Sequence, residues 1–227
     1  MATAEQRREQ LIELLREVRS CERCPLYATR TRAVFGAGNA NADLMFVGEA
    51  PGAQEDLQGI PFVGRAGKLL DELLAENGLA RGDVFIANVL KSRPPANRDP
   101  QPDEIAACKP FLFRQVELIE PTVICTLGNF STKLLTGSPT GISRVHGIPQ
   151  LHQLGERTVK IFPIYHPAAG LRTPSVKQTL REDFQKLPAL LAAGPPPQQQ
   201  PSPAQASVPP AGEPVPPAED PQPKLFS

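Results

Sequence analysis

The chain has 227 residues, of which 40% are hydrophobic, and equal numbers of acidic and basic side chains give it a formal net charge of zero at pH 7. This length allows one well-buried domain with an appendage. The neutral balance excludes a strongly basic nucleic-acid binder, so any contact with nucleic acid must come from a local patch. The absence of Trp disfavours a sequence-specific stacking platform.

The N-terminal segment and the cysteines suggest a cellular compartment. The first 17 residues are charged throughout and lack the apolar core of a secretory signal peptide. No stretch approaches the roughly 20 apolar residues of a membrane span. We therefore expect a cytoplasmic protein, without membrane contact. Four cysteines in a reducing compartment favour metal or redox chemistry over structural disulfides.

The predicted helices and strands alternate along the chain. Leucines at helical spacing predict a first helix over residues 3–19. Apolar runs predict strands over residues 44–47, 84–90, 122–127 and 159–165, and further helices are expected from residue 65, over 102–119 and over 175–191. Strands that are apolar on both faces and alternate with helices predict an α/β fold. We expect a three-layer αβα sandwich around a central, mainly parallel four-stranded sheet.

The composition changes near residue 194. Residues 1–193 carry the predicted helices and strands and form the expected domain. Residues 194–227 are rich in Pro, Gln and Ala. Because such a segment buries too little apolar surface to offset its ordering entropy, we expect a disordered tail.

Polar residues follow the predicted strands, at the edge where parallel sheets bind their ligands. The first strand leads into Gly48-Glu49-Ala50-Pro51-Gly52 and then Glu55. The second strand carries Asn88 near its end and leads to Arg93, and the fourth leads to His166. One such turn is unremarkable on its own. Several at one edge of a sheet predict a functional site.

The segment Gly64-Arg65-Ala66-Gly67-Lys68 superficially suggests a phosphate-binding loop. It departs from the Walker pattern because Leu69, not Ser or Thr, follows Lys68. A helix start that carries Arg65 and Lys68 is suited to a DNA backbone phosphate, and equally to a solvated surface.

Taken together, these motifs resemble the family 4 uracil-DNA glycosylases of the uracil glycosylase superfamily, over about residues 20–187. The resemblance lies in Gly48–Gly52 with Glu55-Asp56, Pro61–Gly67, Asn88, Arg93-Pro94-Pro95 and His166–Ala169. It implies a DNA repair enzyme that hydrolyses the N-glycosidic bond of uracil in DNA and leaves an abasic site. Uracil-containing DNA would be its partner, and we expect a monomer.

The resemblance also implies roles for individual residues. Phe62 would stack on uracil, Asn88 would bind its O4 and N3–H edge, and His166 would donate to its O2. Backbone N–H groups around Gly48 and Ala50 would add to the stabilisation of the leaving group. A carboxylate, Glu49 or Glu55, would assist at the sugar, and the choice between them stays open. The residues expected to face the DNA are Arg65, Lys68, Arg93, Arg144 and His146.

Position 50 separates this chain from another branch of the superfamily, which has an aspartate general base there. Ala50 cannot play that part. We therefore expect catalysis to depend more on stabilising the leaving group than on activating water.

The resemblance further implies a [4Fe–4S] cluster, since soft thiolates suit iron–sulfur centres. Cys21, Cys24 and Cys108 match three of its ligands. The fourth ligand belongs to a Lys-Cys-Arg-Pro-Pro motif, which reads Lys91-Ser92-Arg93-Pro94-Pro95 here. We favour Cys125 as the fourth ligand, because its predicted strand neighbours the one that leads to Ser92. Ser92 itself, or a three-iron cluster, is the rival, and a buried apolar Cys125 is common in strands.

A second activity is considered for the segment Ser143-Arg144-Val145-His146-Gly147. It resembles the loop of a superfamily branch whose histidine captures the DNA sugar covalently. The basic insertion of that branch is missing here. We therefore expect His146 to face DNA in a hydrolytic enzyme, with covalent trapping through His146 as the alternative. A non-enzymatic damage-binding protein is a third possibility, disfavoured by Asn88 and His166.

The end of the predicted tail differs in composition from the rest of it. It reads Gln222-Pro223-Lys224-Leu225-Phe226-Ser227. Gln222, Leu225 and Phe226 resemble the short peptides by which bacterial repair proteins dock on the replication sliding clamp. A Pro-rich tether would then raise the local concentration of enzyme on DNA. The alternative is a tail that ends in two apolar residues by chance.

Overall fold

The computed structural model describes residues 3–198 as a sheet flanked by helices. Its helices, in chain order, are α1 (Ala4–Ser20), α2 (Ala53–Gln58), α3 (Arg65–Glu76), α4 (Pro102–Ile119), α5 (Asn129–Thr136), α6 (Ile142–Val145), α7 (Pro167–Gly170), α8 (Pro174–Phe184) and α9 (Leu187–Ala192). Within these described residues, no helix has the length and apolar character that crossing a membrane requires.

The strands form one mixed sheet. They are β1 (Ala37–Gly38), β2 (Leu44–Gly48), β3 (Phe85–Asn88), β4 (Val123–Leu127), β5 (Gln150–Leu154) and β6 (Arg157–Ile164). The spatial order is β1-β3-β2-β4-β6-β5, and the four central strands run parallel. These four are the predicted strands, so the predicted α/β sandwich is confirmed.

The two edge strands were not predicted. Strand β1 has two residues and pairs antiparallel with β3, and β5 forms an antiparallel hairpin with β6. Both lack the apolar run that marks the central strands. Strand β5 alternates between exposed and half-buried positions until its last residue, Leu154, because successive side chains of a strand point to opposite faces of the sheet. The sheet therefore has six strands rather than four.

Helix α1 illustrates how the sequence sets an element. The Thr3 side chain accepts a hydrogen bond from the Gln6 N–H, and the Gln6 side chain accepts one from the Thr3 N–H. This reciprocal cap starts the helix within one residue of the prediction. Leucines and Val18, spaced three and four apart, are buried on one face, which contacts α4.

Each face of the sheet carries its own hydrophobic core. The first core lies under α1 and α4 and the second under α3 and α8. Because side chains of a strand alternate between faces, Ile124 of β4 packs in the first core and its neighbours Val123 and Cys125 pack in the second. This gives the three predicted layers.

The predicted last helix over residues 175–191 is two helices, α8 and α9. Pro188 lies in the first turn of α9. Proline has no N–H and its ring clashes with the carbonyl four residues earlier, which here is that of Phe184, the last residue of α8. The chain therefore breaks at residues 185–186 and restarts.

Residues 194–198, the start of the predicted tail, contact the sheet. The Gln198 side chain pairs with the main chain of Thr158 in both directions, and Lys160 Nζ donates to the Gly194 carbonyl. The division into residues 1–193 and 194–227 stays a prediction. Residues 199–227, and with them the proposed clamp-binding end, lie outside the described residues.

Candidate active site

A cavity of about 360 Å³ opens at the carboxyl ends of the central strands. It is lined by Glu49, Ala50, Pro51, Gly52, Glu55, Phe62, Ala66, Asn88, Pro94, Asn97, Arg98, His166 and Ala168. Six residues predicted from the sequence thus meet in one place: Glu49, Ala50, Glu55, Phe62, Asn88 and His166. The seventh, Gly48, lies directly beside them.

Asn88 carries an unused hydrogen-bond acceptor. It is the last residue of β3, is 2% exposed and pairs in register with Gly48 of β2. Its buried Oδ1 has no hydrogen-bond partner among the described residues. Buried polar atoms are normally paired, because desolvation without a partner costs about 1–3 kcal/mol. An orphan acceptor at a strand end therefore suggests a ligand that donates to it.

Gly48 allows this arrangement. A Cβ at position 48 would lie 2.3 Å from Asn88 Oδ1 and 2.9 Å from the Phe62 ring. Any larger residue would push one of the two side chains away. The glycine therefore brings the amide and the aromatic ring to the same spot.

His166 is neutral and has a defined tautomer. It caps α7, and its Nδ1 accepts a hydrogen bond from the Ala168 N–H at 3.1 Å. Since Nδ1 is an acceptor, the single ring proton of the neutral form is on Nε2. Burial lowers the pKa of His166 to about 4, although Glu55 opposes the shift. At neutral pH, Nε2–H is therefore a hydrogen-bond donor that carries no net charge.

Phe62 sits in a constrained turn. Its φ of 53° is in the left-handed region, which is rare for an aromatic residue. The Arg81 guanidinium donates to the Pro61 carbonyl on one side of the turn. The Phe62 carbonyl packs so closely on Gly67 that a Cβ there would overlap it. The ring faces that of His166, with centroids 5.6 Å apart.

The two candidate carboxylates differ in their surroundings. Glu55 Oε1 accepts hydrogen bonds from the N–H groups of Val63 and Gly64, at 3.1 and 3.2 Å, so it holds the turn that presents Phe62. Glu49 lines the cavity, and burial, followed by the charge of Asp99, raises its pKa. Within residues 3–198 no hydrogen-bond donor offsets this shift, so Glu49 is the carboxylate free to act on a substrate.

Two polar residues of the cavity lining, Asn97 and Arg98, had no predicted role. Asn97 and Arg98 follow Pro94-Pro95, and both Ala96 and Asn97 have positive φ, at 53° and 54°. A two-point ion pair between Arg98 and the buried Glu104 holds this strained loop. The sequence does contain a signal for them, an Asn-Arg pair in the loop after a strand. Because neither residue lies next to the strand end, the pattern used for the other site residues does not select them.

The predicted DNA-facing residues are not part of the cavity wall. Arg65 and Lys68 are exposed in the first turn of α3, and Arg144 is exposed in α6. Arg93 is half-buried, and its Nε donates to Asn97 Oδ1 at 2.7 Å. That contact links Arg93 to the cavity through the strained loop.

His146 is also outside the cavity lining. Its Nδ1 lies 2.8 Å from a carboxylate oxygen of buried Asp183, which also pairs with Lys186. Its ring lies 4.9 Å from that of Tyr165, the residue before His166. His146 is thus held near the site without forming part of its wall.

Three of the four cysteines gather on one face of the sheet. Cys108 belongs to the first core, and Cys21 and Cys24 pack against it. Burial is the largest cause that raises the pKa of the Cys108 thiol, and the nearby charges of Cys24 and Cys21 add to it. No three His, Cys, Asp or Glu side chains within residues 3–198 converge on a single metal ion. A cluster of several irons does not need such convergence, because its thiolates bind different irons.

The structure does not bring Cys125 to these three. It lies in the second core, on the opposite face of the sheet, because it has the wrong parity along β4. Burial raises the pKa of its thiol well above the ordinary value, which suits an inert apolar side chain. The placement contradicts the choice of Cys125 as fourth ligand. Ser92, by contrast, lies next to the other cysteines, since the N–H of the preceding Lys91 donates to Cys108 Sγ at 3.4 Å.

Lys91 connects the cysteine region to the cavity. It is 2% exposed, and its Nζ donates to the carbonyl oxygens of Asn88, Phe35 and the Gln115 side chain, at 2.9, 3.2 and 2.6 Å. Burial lowers its pKa to about 7. All three acceptors are neutral, and with this pKa Lys91 is only partly protonated at pH 7, so an anionic group bound at the nearby cysteines would favour its ammonium form. Three thiols and the buried Lys91 side chain thus suit a cluster bound by thiolates, but the fourth cysteine ligand of such a cluster is missing.

Comparison with known proteins places this site in a family. The profile described as the Uracil DNA glycosylase superfamily matches residues 35–187. The chain belongs to the uracil DNA glycosylase superfamily.

Within that superfamily, the chain is similar to type-4 enzymes. It is 48% identical over 184 residues to the type-4 uracil-DNA glycosylase of Archaeoglobus fulgidus, an alignment that covers 79% of this chain and 92% of the relative. The type-4 uracil-DNA glycosylase of Sulfurisphaera tokodaii is 47% identical, with 79% and 84% covered. That of Saccharolobus solfataricus is 48% identical, with 79% and 85% covered.

Proposed function

We propose that this chain hydrolyses the N-glycosidic bond of uracil in DNA, leaving an abasic site. The observation that carries the proposal is the orphan Oδ1 of Asn88, buried beside the neutral His166 in a cavity at the strand ends. A flipped uracil supplies the missing donor, its N3–H. Family membership and the type-4 relatives support the same reaction.

Base recognition follows from the amide of Asn88. Its Oδ1 accepts from uracil N3–H while its Nδ2 donates to O4, a pair of bonds that cytosine cannot make because it presents an acceptor at N3 and a donor at N4. The Phe62 ring supplies an apolar face for stacking.

His166 stabilises the leaving group. As the bond between C1′ and N1 breaks, its electron pair stays with uracil and negative charge spreads to O2. The Nε2–H of neutral His166 donates to that oxygen, and backbone N–H groups around Ala50 add further donors. Because the donor is already neutral at pH 7, no proton has to be taken up before each turnover.

Glu49 acts on the sugar side. The sugar becomes oxocarbenium-like as uracil leaves, and an ionised carboxylate beside it stabilises that positive charge. Water then attacks C1′ and loses a proton to Glu49 or to solvent. Glu55 is a positioning residue, since its carboxylate holds the turn of Phe62. Ala50 provides no side-chain base.

We assign DNA contacts outside the cavity to basic side chains near its rim. Arg65 and Lys68 in the first turn of α3 are suited to a backbone phosphate, and Arg93 and Arg144 extend the basic surface. Substitution of each by Ala should weaken DNA binding at low salt and reduce its salt dependence. Unchanged binding in all four variants would remove this assignment.

A decisive experiment compares uracil-containing and normal oligonucleotides incubated with the purified protein. Alkali-cleavable product from the uracil strand alone is expected. No change in either strand would refute the glycosylase proposal and favour a binding protein.

Covalent trapping through His146 is the second candidate. The pair of His146 Nδ1 with buried Asp183 holds an imidazole whose side chain stays 28% exposed, and this observation favours the candidate. His146 does not line the cavity, so we propose hydrolysis with turnover instead. An SDS-resistant, uracil-dependent protein–DNA band that disappears in His146→Ala would reverse this choice.

We further propose an iron–sulfur cluster bound by Cys21, Cys24 and Cys108. The packing of their side chains on one face of the sheet and the buried cation of Lys91 support it. A bound cluster would cross-link the end of α1, helix α4 and the loop after β3. Hydrolysis moves no electrons, so the reaction itself needs none from it. Purified protein should be brown and contain iron and acid-labile sulfide.

The predicted partner of the chain terminus remains a proposal. A peptide covering residues 217–227 should bind the sliding clamp with micromolar affinity and lose binding when Leu225 and Phe226 become Ala. Gln222 would supply the anchoring hydrogen bonds. Truncation after Gln198, which spares the contact with Thr158, should leave excision on short oligonucleotides unchanged. Absence of peptide binding by titration would dismiss docking alone.

We also propose that the protein acts as a monomer in the cytoplasm. The cavity is formed by residues of one chain, and completing it requires no second copy. Sedimentation of the purified protein at micromolar concentration tests the monomer, and a dimeric species would contradict it.

A further inference from the structure

We propose that the cluster has one iron bound by the oxygen of Ser92 instead of a thiolate, and that this iron is selectively lost on oxidation. The inference rests on the cluster proposed above and concerns the ligand of its fourth iron. Three cysteines occupy one face of the sheet, and the remaining cysteine is on the other. The fourth ligand must therefore be a group other than a cysteine of this chain.

Ser92 occupies the right place for that ligand. It follows directly on Lys91, whose N–H donates to Cys108 Sγ, and it is 3% exposed. Its Oγ accepts a hydrogen bond from Arg30 Nη1 at 3.2 Å. The other terminal nitrogen of Arg30 donates to the Arg19 carbonyl at 2.6 Å, two residues before Cys21. Arg30 thus ties Ser92 to the segment that carries Cys21.

The chemistry of this contact favours an oxygen ligand. A serine oxygen binds iron best as the anion, and a guanidinium that donates to it stabilises that anion.

A hard oxygen ligand holds iron of a sulfide cluster less firmly than a soft thiolate does. Oxidation by one electron then gives a defined product. The [4Fe–4S]²⁺ core passes one electron to an added oxidant such as ferricyanide and releases one Fe²⁺, leaving [3Fe–4S]⁺. The charge balances, and the three remaining irons keep their thiolates from Cys21, Cys24 and Cys108.

The test uses the full chain reconstituted without oxygen with ferrous iron and sulfide. Iron per chain and the paramagnetic resonance spectrum are recorded before and after one equivalent of ferricyanide. We expect the wild type to lose one iron of four and to gain a three-iron signal. Ser92→Cys should keep all four irons. Ser92→Ala should hold only three irons before any oxidant is added, as the reduced [3Fe–4S]⁰ core, and one equivalent of ferricyanide should then bring its three-iron signal without further loss of iron.

Cys125→Ser is the matched control and should behave as the wild type. The assignment is overturned if the wild type resists ferricyanide as well as Ser92→Cys does, if Ser92→Ala matches the wild type, or if Cys125→Ser alone loses iron. Absence of iron from all four proteins overturns it as well.

Uracil excision by the same preparations separates this inference from the proposed function. Iron loss as described without any excision would refute the glycosylase and keep the Ser92 assignment. Excision by a protein whose cluster resists oxidation would refute the Ser92 assignment and keep the glycosylase proposal.

Discussion

The cavity and the cysteine region both use residues of the loop after β3, but different features of the sequence predict their positions. In the cavity, Glu49, Asn88 and His166 meet because parallel strands end at one edge, and the order of strands along the chain is enough to predict that. In the cysteine region, the decisive property is the face on which a strand residue points. The order of the strands along the chain is therefore enough to predict a site at the strand ends. To predict a site on one face of the sheet, it is also necessary to know which face each strand residue points to.

The largest effect is expected in the cavity. His166→Ala should lower the single-turnover rate of uracil excision by about 100-fold, because one pre-positioned donor to the leaving group is lost. His152→Ala is the matched control, since His152 lies on β5 and is absent from the cavity lining. Equal rates for the two variants would remove His166 from the mechanism.

Asn88→Ala should lower the same rate by about 30-fold, because about 2 kcal/mol of hydrogen bonding to the base is lost. Affinity for DNA that already carries an abasic site should not change, since no base is left to recognise. If affinity for abasic DNA falls in parallel with the rate, Asn88 maintains the fold and does not bind the base.

Glu49→Gln should lower the rate by about tenfold at neutral pH and change the pH profile. The pKa of Glu49 is raised, and the ionised form is the active one, so the wild-type rate should fall as pH decreases through that raised pKa. The variant should lack this acid limb. His166 titrates only near pH 4 and adds no limb above pH 5. An unchanged acid limb in Glu49→Gln would shift the role to another group.

Glu55→Gln provides the comparison within the cavity. The amide keeps one oxygen for the N–H groups of Val63 and Gly64, so the Phe62 turn should survive and the rate should fall only about threefold. Rates of both variants at several pH values give the measurement. A larger loss in Glu55→Gln than in Glu49→Gln would exchange their roles.

The smallest effect on function is expected for a substitution in the second core. Cys125→Ser should leave excision unchanged and lower the free energy of unfolding by about 1–3 kcal/mol, because a hydroxyl is buried among apolar side chains. Denaturant unfolding measures the stability change. A fall in excision at full folding would link Cys125 to the site after all.

The sequence predicted the four central strands, helix α1 and the residues of the cavity wall that follow strands. It could not predict β1 and β5, because edge strands lack a two-sided apolar run. It also misplaced Cys125. Its strand, β4, does not neighbour β3, which leads to Ser92, because β2 lies between them, and alternation of faces puts Cys125 in the second core. Asn97 and Arg98 reach the cavity through a loop with two positive φ angles, a conformation that short-range patterns do not reveal.

Lys91 makes the two regions parts of one thermodynamic system. Its amide contacts Cys108 and its ammonium holds the carbonyl of Asn88. A ligand at the cysteines that favours one position of Lys91 also acts on the main chain of Asn88, the residue proposed to bind the base, and coupling between two binding events is reciprocal. Substrate DNA is therefore expected to tighten the binding of iron by the same free energy with which iron tightens the binding of substrate.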